Sequence, residues 1–136
     1  MRIFVFAFLF VFTSIYSLYS QGSTQYEMRT VGSHDDEVLG VFVNEANTMV
    51  ATCSLDETIK LWSLPDGKLL RTLRGHLGQV NNLSFSGNDK WLASASTDRT
   101  VRIWDVHTGE LLKVLRGHTD QVIGVYFSQD DSATFV

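Results

Sequence analysis

The stretch SASTDRTVRIWD, Ser94–Asp105, holds serines, an aspartate and a tryptophan within twelve residues, and His76 lies upstream of it. Ser, His and Asp are the parts of a hydrolytic triad. The segment that decides what they are for lies 42 residues earlier: TCSLDETIKLWS, Thr52–Ser63. Ser54 answers Ser96, Asp56 answers Asp98, and Trp62 answers Trp104. A hydrolase needs one nucleophile, one base and one orienting acid at a single site. Here the whole set recurs at one spacing, and the tryptophan keeps step with it.

The step of 42 residues runs well beyond this segment. His34, His76 and His118 follow it, as do Val38, Val80 and Val122. Thr58 and Thr100, Gly67 and Gly109, and Leu73 and Leu115 fall on it too. LLRTLRGH (Leu69–His76) aligns with LLKVLRGH (Leu111–His118), and TIKLWSL (Thr58–Leu64) with TVRIWDV (Thr100–Val106). Within a repeat the segments read as strands. VLGVFV (Val38–Val43) and MVATCS (Met49–Ser54) flank a polar turn. In TIKLWSL, Ile59, Leu61 and Ser63 face one way and Lys60, Trp62 and Leu64 the other. The turn residues of Pro65–Gly67 lead to KLLRTL. Turn signals about every 8–12 residues, without a sustained helical period, predict all-β structure with four short antiparallel strands per repeat. Such a unit is apolar on both faces and must stack on neighbours.

The pairs Gly75–His76 and Gly117–His118, with Trp104–Asp105, resemble the WD-repeat family of β-propellers over about Tyr26 to Val136. Ser33–His34 and Trp62–Ser63 depart from the two signature dipeptides. The resemblance implies an incomplete β-propeller of four-stranded antiparallel blades. The repeats run over residues 34–75, 76–117 and 118–136, the third cut short. Residues 21–33 are expected to be a linker and a leading outer strand, because YEMRTVGSH (Tyr26–His34) aligns with KLLRTLRGH (Lys68–His76). Two blades and part of a third do not close a ring, since propellers take about 4–8. A fragment of a longer propeller, an oligomer completing one ring, and a partial protein all satisfy that arithmetic; the fragment is the reading expected here.

Residues 1–20 are of different material. Arg2, the apolar run Ile3–Phe12 and the Ser/Thr-rich sequence after it predict a signal peptide, cleaved near Ser20–Gln21, or an uncleaved anchor. That start implies a secreted or periplasmic protein; a cytoplasmic protein with a misassigned start is the alternative. The bulk properties of the full 136-residue chain are plain: 44% hydrophobic, 19% charged, formal net charge -4. Lys60, Arg71, Arg74, Arg99, Arg102, Lys113 and Arg116 are dispersed among acids, so no basic stripe suits nucleic acid. Contact with a membrane is expected only through residues 1–20. Cys53 is alone, which excludes an intrachain disulfide, and its apolar setting predicts an inert thiol. The repeat histidines are not at metal-ligand spacing, and no phosphate-cradling glycine motif occurs, so neither metal nor cofactor is expected.

The resemblance implies that His34, Ser54, Asp56 and Trp62, and again His76, Ser96, Asp98 and Trp104, hydrogen-bond across one blade each. The Asp holds the His, the His reaches the Ser, and the Ser reaches the indole N–H. His118 is expected to be the least constrained repeat histidine. The function implied is a non-catalytic protein-interaction scaffold, with other proteins as partners. Its candidate contact residues are Asp35, Asp36, Glu37, Leu55, Leu77, Gln79, Thr97, Asp120 and Gln121. The alternative is an exported, hydrolase-like propeller enzyme. It would need a catalytic set that occurs once, and the repeat-breaking residues Asn81, Asn82 and Tyr126 form no acid–base set.

Overall fold

The structure, a computed structural model, describes residues 14–20, 26–128 and 133–135. All of its regular elements are strands: β1 (Ser14–Ser20), β2 (Tyr26–Ser33), β3 (Val38–Val43), β4 (Met49–Ser54), β5 (Ile59–Ser63), β6 (Leu69–Leu73), β7 (Val80–Phe85), β8 (Trp91–Ser96), β9 (Val101–Asp105), β10 (Leu111–Leu115), β11 (Val125–Phe127) and β12 (Ala133–Phe135). Strands β3 to β6 form one four-stranded antiparallel sheet in chain order, and β7 to β10 form a second. The pairs β1–β2 and β11–β12 are two-stranded antiparallel sheets. The two complete sheets are the two expected blades, one per repeat.

Turn chemistry sets the register. Asn47 and Asp89 take the left-handed conformation (φ 56° and 58°) between the first two strands of their blades. Glu57 and Arg99 take it (65° and 66°) between the second and third, and Gly67 and Gly109 (67° and 80°) between the last two. Each pair keeps the 42-residue step, so the repeat extends to backbone geometry as well as residue type. Gly75 shows why glycine precedes the second repeat histidine. Its φ is 142°, and an added Cβ would lie 2.6 Å from Arg102 Nη1.

The core lies between the blades. Ala51, Cys53, Ile59, Leu61 and Leu73 of the first blade pack against Val80, Leu83, Leu92, Trp104 and Val106 of the second. The far face of the second blade repeats the pattern: Ala93, Ala95, Val101, Ile103 and Leu115 meet Val122, Val125 and Phe127 at the start of the third repeat. The opposite face of the first blade carries Val38, Val41, Val43, Val50, Trp62 and Leu64. Those six residues stand 42 positions before Val80, Leu83, Phe85, Leu92, Trp104 and Val106. One interface is thus written three times along the chain.

Polar contacts fasten the stack at its margins. The Asp89 carboxylate reaches back to the first blade and accepts from Asn44 Nδ2, Glu45 N and Ala46 N, each at 2.9 Å. Asn81 Nδ2 donates to Val122 O at 2.8 Å, and Ser84 Oγ accepts from Phe127 N at 3.1 Å. Asn81 and Ser84 thereby tie the incoming third repeat to β7.

At the N-terminal end, residues 1–13 of the expected signal segment lie outside the described residues. Of the rest of that segment, Ser14–Ser20 is strand β1, paired with the leading strand β2. β2 runs directly onto the first blade. A Cβ on Gly32 would fall 2.1 Å from the Trp62 ring, and Lys60 Nζ donates to Ser33 O at 2.6 Å. Among the described residues no helix is long and apolar enough to cross a membrane.

Candidate functional site

The polar set of each blade is assembled from four features of the repeat. The histidine enters on the connection that follows an outer strand. The second strand supplies a hydroxyl, the turn after it an aspartate, and the third strand the tryptophan. In the first blade Trp62 Nε1–H donates to Thr52 Oγ1 at 2.9 Å, Thr52 Oγ1 lies 2.7 Å from His34 Nε2, and His34 Nδ1 lies 2.8 Å from Asp56 Oδ2. In the second, Trp104 Nε1–H donates to Ser94 Oγ at 2.8 Å, Ser94 Oγ lies 2.7 Å from His76 Nε2, and His76 Nδ1 lies 2.8 Å from Asp98 Oδ2. One proton arrangement satisfies each chain. The indole and the hydroxyl both donate toward the histidine, whose Nδ1–H donates to the carboxylate.

The hydroxyl in this chain corrects the reading from sequence. Ser54 and Ser96 are not its members; Thr52 and Ser94 are. Both pairs lie on the same strand face, two residues apart, since alternate residues share a face. Ser54 and Ser96 sit one step nearer the turn and hold it instead. Ser96 Oγ donates to Gly78 O and accepts from Asp98 N, both at 3.1 Å, and Ser54 Oγ accepts from Asp56 N at 3.0 Å. The sequence signal for the true pair was present but weaker. Thr52 and Ser94 keep the 42-residue step in chemistry, a hydroxyl for a hydroxyl, and not in identity.

Electrostatics keep each set in one protonation state. Burial pulls His34 and His76 below the ordinary histidine value, outweighing the upward pull of Asp56 and Asp98. Burial pushes Asp56 the other way, but donors prevail and hold it at about 2. They are the Thr58 hydroxyl at 2.6 Å, the Asp35 and Thr58 amides at 2.9 Å, and His34. Asp98 is likewise lowered against its burial, by the Thr100 hydroxyl, His76 and the Leu77 amide. Neutral imidazole beside ionised carboxylate is the result near neutral pH.

Ser94, His76 and Asp98 therefore stand in the relative geometry of a hydrolytic triad, and a hydrolase would need no shorter distances. The differences lie around them. Ser94 and Thr52 are 0% exposed, and each hydroxyl oxygen already takes an indole N–H. A reacting carbonyl carbon needs a position about 3 Å from the nucleophile, and here that space belongs to the tryptophan. The His76 and Trp104 rings meet edge to face, 6.2 Å apart.

Among the described residues none surrounds His118 in this way. It is exposed, whereas His34 and His76 are 2% and 4% exposed. The remaining sequence-predicted positions lie in loops beside the histidines. Asp35, Asp36, Glu37, Asp120 and Gln121 are exposed; Leu55, Gln79 and Thr97 are half-buried; Leu77 is 83% exposed. Backbone bonds between Leu55 N and Glu37 O and between Thr97 N and Gln79 O bring the turn and the loop together on each blade. Cys53 is buried, and burial pushes its thiol up to about 12, which removes it as a nucleophile. Among the described residues no three His, Cys, Asp or Glu side chains gather as a metal site.

A family model described as "WD domain, G-beta repeat" matches residues 25–63 and 67–105, more than half of the chain. The chain belongs to the WD-repeat family. Each match runs from the outer strand before a histidine to the residue after the tryptophan, the same 42-residue period in a different frame. Among similar proteins, nuclear distribution protein nudF 2 of Talaromyces marneffei is 41% identical over 59 residues, 43% of this chain and 13% of that protein. Protein transport protein sec13 of Schizosaccharomyces pombe is 40% identical over 62 residues, 43% of this chain and 21% of that protein. A probable E3 ubiquitin ligase complex SCF subunit, sconB of Talaromyces stipitatus, is 42% identical over 50 residues, 37% of this chain and 8% of that protein. The similarity thus spans a small part of each relative.

Proposed function

We propose that this chain is a non-catalytic WD-repeat scaffold for protein–protein interaction, with the loops beside His34 and His76 as its contact surface. The observation that carries this reading is the double occurrence of the buried polar set, each copy satisfied within its own blade. Chemistry that must meet a substrate is not built twice and sealed behind two tryptophans. What the blades leave outside is a row of loops, with Leu77 exposed in the loop after His76 and the acids Asp35, Asp36 and Glu37 exposed in the loop after His34. An exposed leucine in one loop and exposed carboxylates in another suit a partner that brings an apolar contact and basic groups. The similarity to a subunit of a ligase complex supports an assembly role.

The test is site-specific photo-crosslinking in the native host, with the probe at Leu77 and, as control, at Leu112 on the outer strand β10. A defined protein captured from Leu77 and lost with Asp35→Lys/Asp36→Lys supports the reading. Equal capture from both positions contradicts it.

A further inference from the structure

The two blades differ at one buried cation. Lys60 and Arg102 hold the same place on the third strand, 42 residues apart and two residues before the tryptophan. Lys60 is half-buried, and its Nζ donates to Ser33 O at 2.6 Å. Arg102 is only 8% exposed and has no ion pair among the described residues. Its Nε is buried without an acceptor, the one buried side-chain nitrogen or oxygen so left among the described residues. Burial can strip a lysine of its proton, but a guanidinium stays charged. The polar set beside it is fully bonded and occurs twice; the unpaired guanidinium occurs in the second blade alone. Buried charges are ordinarily paired, so this one calls for a partner.

A glycine brings the cation to the surface. Gly75 is exposed and takes the place that Ser33 holds in the first blade. A Cβ on Gly75 would stand 2.6 Å from Arg102 Nη1 and 3.6 Å from the Trp104 ring. Nη1 thus occupies the space of a side chain at an exposed position, two residues from Leu77, which is 83% exposed. The surrounding charges favour a single negative charge over a double one. Burial is the main influence on His76; Asp98 then raises it, Arg102 lowers it and Glu57 raises it. Two carboxylates therefore temper the field of the guanidinium, which suits a carboxylate better than a phosphate.

We propose that Arg102 receives an acidic side chain of the partner, an Asp or Glu that enters beside Gly75, accepts from Nη1 and neutralises the buried charge. The inference rests on the reading of these loops as a contact surface. The loop after His34 offers carboxylates and the loop after His76 leads to a cation, so opposite charges on the partner set its direction across the two blades.

The probe is N-acetylglutamic acid α-amide, titrated into the full chain carrying isotope-labelled arginine and glycine. Binding is read by NMR at the Arg102 Nε–H and the Gly75 amide. A saturable shift is expected with this acid and none with N-acetylglutamine amide, and inorganic phosphate should bind less tightly. Arg102→Lys, which copies the first blade, should fold and bind the acid roughly 10-fold or more weakly at the Gly75 amide. Arg102→Met keeps the apolar stem and loses the charge, so it should resist denaturant at least as well as the unaltered chain. The proposal is overturned by resonances that the acid does not move, by tighter binding of phosphate, or by full binding to Arg102→Lys. It is equally overturned by an Arg102→Met chain that is less stable or unfolded, which would assign the guanidinium to the fold. A partner captured from Leu77 equally well with Arg102→Met overturns this inference and leaves the scaffold reading standing. No capture from Leu77, with the acid still bound at Arg102, counts against the scaffold reading instead.

Discussion

His76 and His118 both end the tripeptide Arg-Gly-His, 42 residues apart, and share almost nothing else. His76 is 4% exposed, held by Asp98 at one nitrogen and Ser94 at the other, with the Trp104 ring against it. His118 is exposed. At Gly75 an added Cβ would collide with the Arg102 guanidinium, while at Gly117 it would meet nothing within 4 Å. The tripeptide is a socket, and the site forms only where a second strand, its turn and a third strand supply the other parts. The polar set is thus a property of a completed blade, and its residues are bound to one another before any ligand arrives.

The two histidines should differ most when each is removed. His76→Ala leaves a cavity and strands Asp98, Ser94 and the Trp104 N–H in the interior, so chemical denaturation at fixed protein concentration should show a loss of about 3 kcal/mol. His118→Ala should change stability by less than about 0.5 kcal/mol. Equal effects would mean that the third repeat completes its own site.

Next in size is the contrast between the two serines of β8. Ser94→Ala removes the acceptor of the indole N–H and the donor to His76, at a cost of about 2 kcal/mol; Ser96→Ala removes bonds at the edge of a turn, at about 1 kcal/mol. A reversed order would restore the assignment made from sequence.

A similar loss, about 1.5 kcal/mol, is expected from Asp89→Ala, because three donors of the first blade lose one carboxylate. That loss should appear in the coupling between blades. Hydrogen exchange of the β3–β4 turn should speed up while the His76 set stays protected.

The pH dependence is the gentlest probe. His34 and His76 have lowered values in the folded state, so the unfolded chain binds more protons as pH falls through the ordinary histidine value near 6.5. Stability should therefore decline on acidification from that point. A second decline should follow below the ordinary aspartate value of 3.8, as Asp56, held at about 2, and the lowered Asp98 are protonated. Stability that rises between pH 7 and 5 would mean that the buried imidazoles carry charge.

Much of this was legible in the sequence, and the reasons are physical. Stacked blades must present the same surface at each interface, so one spacing governs core valines, turn glycines and tryptophans alike, and it announced the fold. The positions of His34, His76, Asp56 and Asp98 were legible for the same reason. The hydroxyl was misread because matching by identity favoured Ser54 and Ser96. The blade asks only for an oxygen that accepts from an indole, which Thr52 and Ser94 provide equally. Asp89 was invisible because its partners lie in the preceding repeat, a relation between blades and not within one. That Ser14–Ser20 forms a strand was not legible, because a Ser/Thr- and aromatic-rich run reads equally as a polar flank and as an outer strand.

On this reading the Ser–His–Asp arrangement, at triad distances, serves as a strut, closed off by the tryptophan that completes it. The most direct measurement is covalent labelling of the folded chain with a fluorophosphonate probe, read by peptide mass spectrometry at Ser94. Ser94 should remain unmodified until the protein is denatured. Stoichiometric labelling of Ser94 in the native state, abolished by His76→Ala in a variant that remains folded, would contradict it.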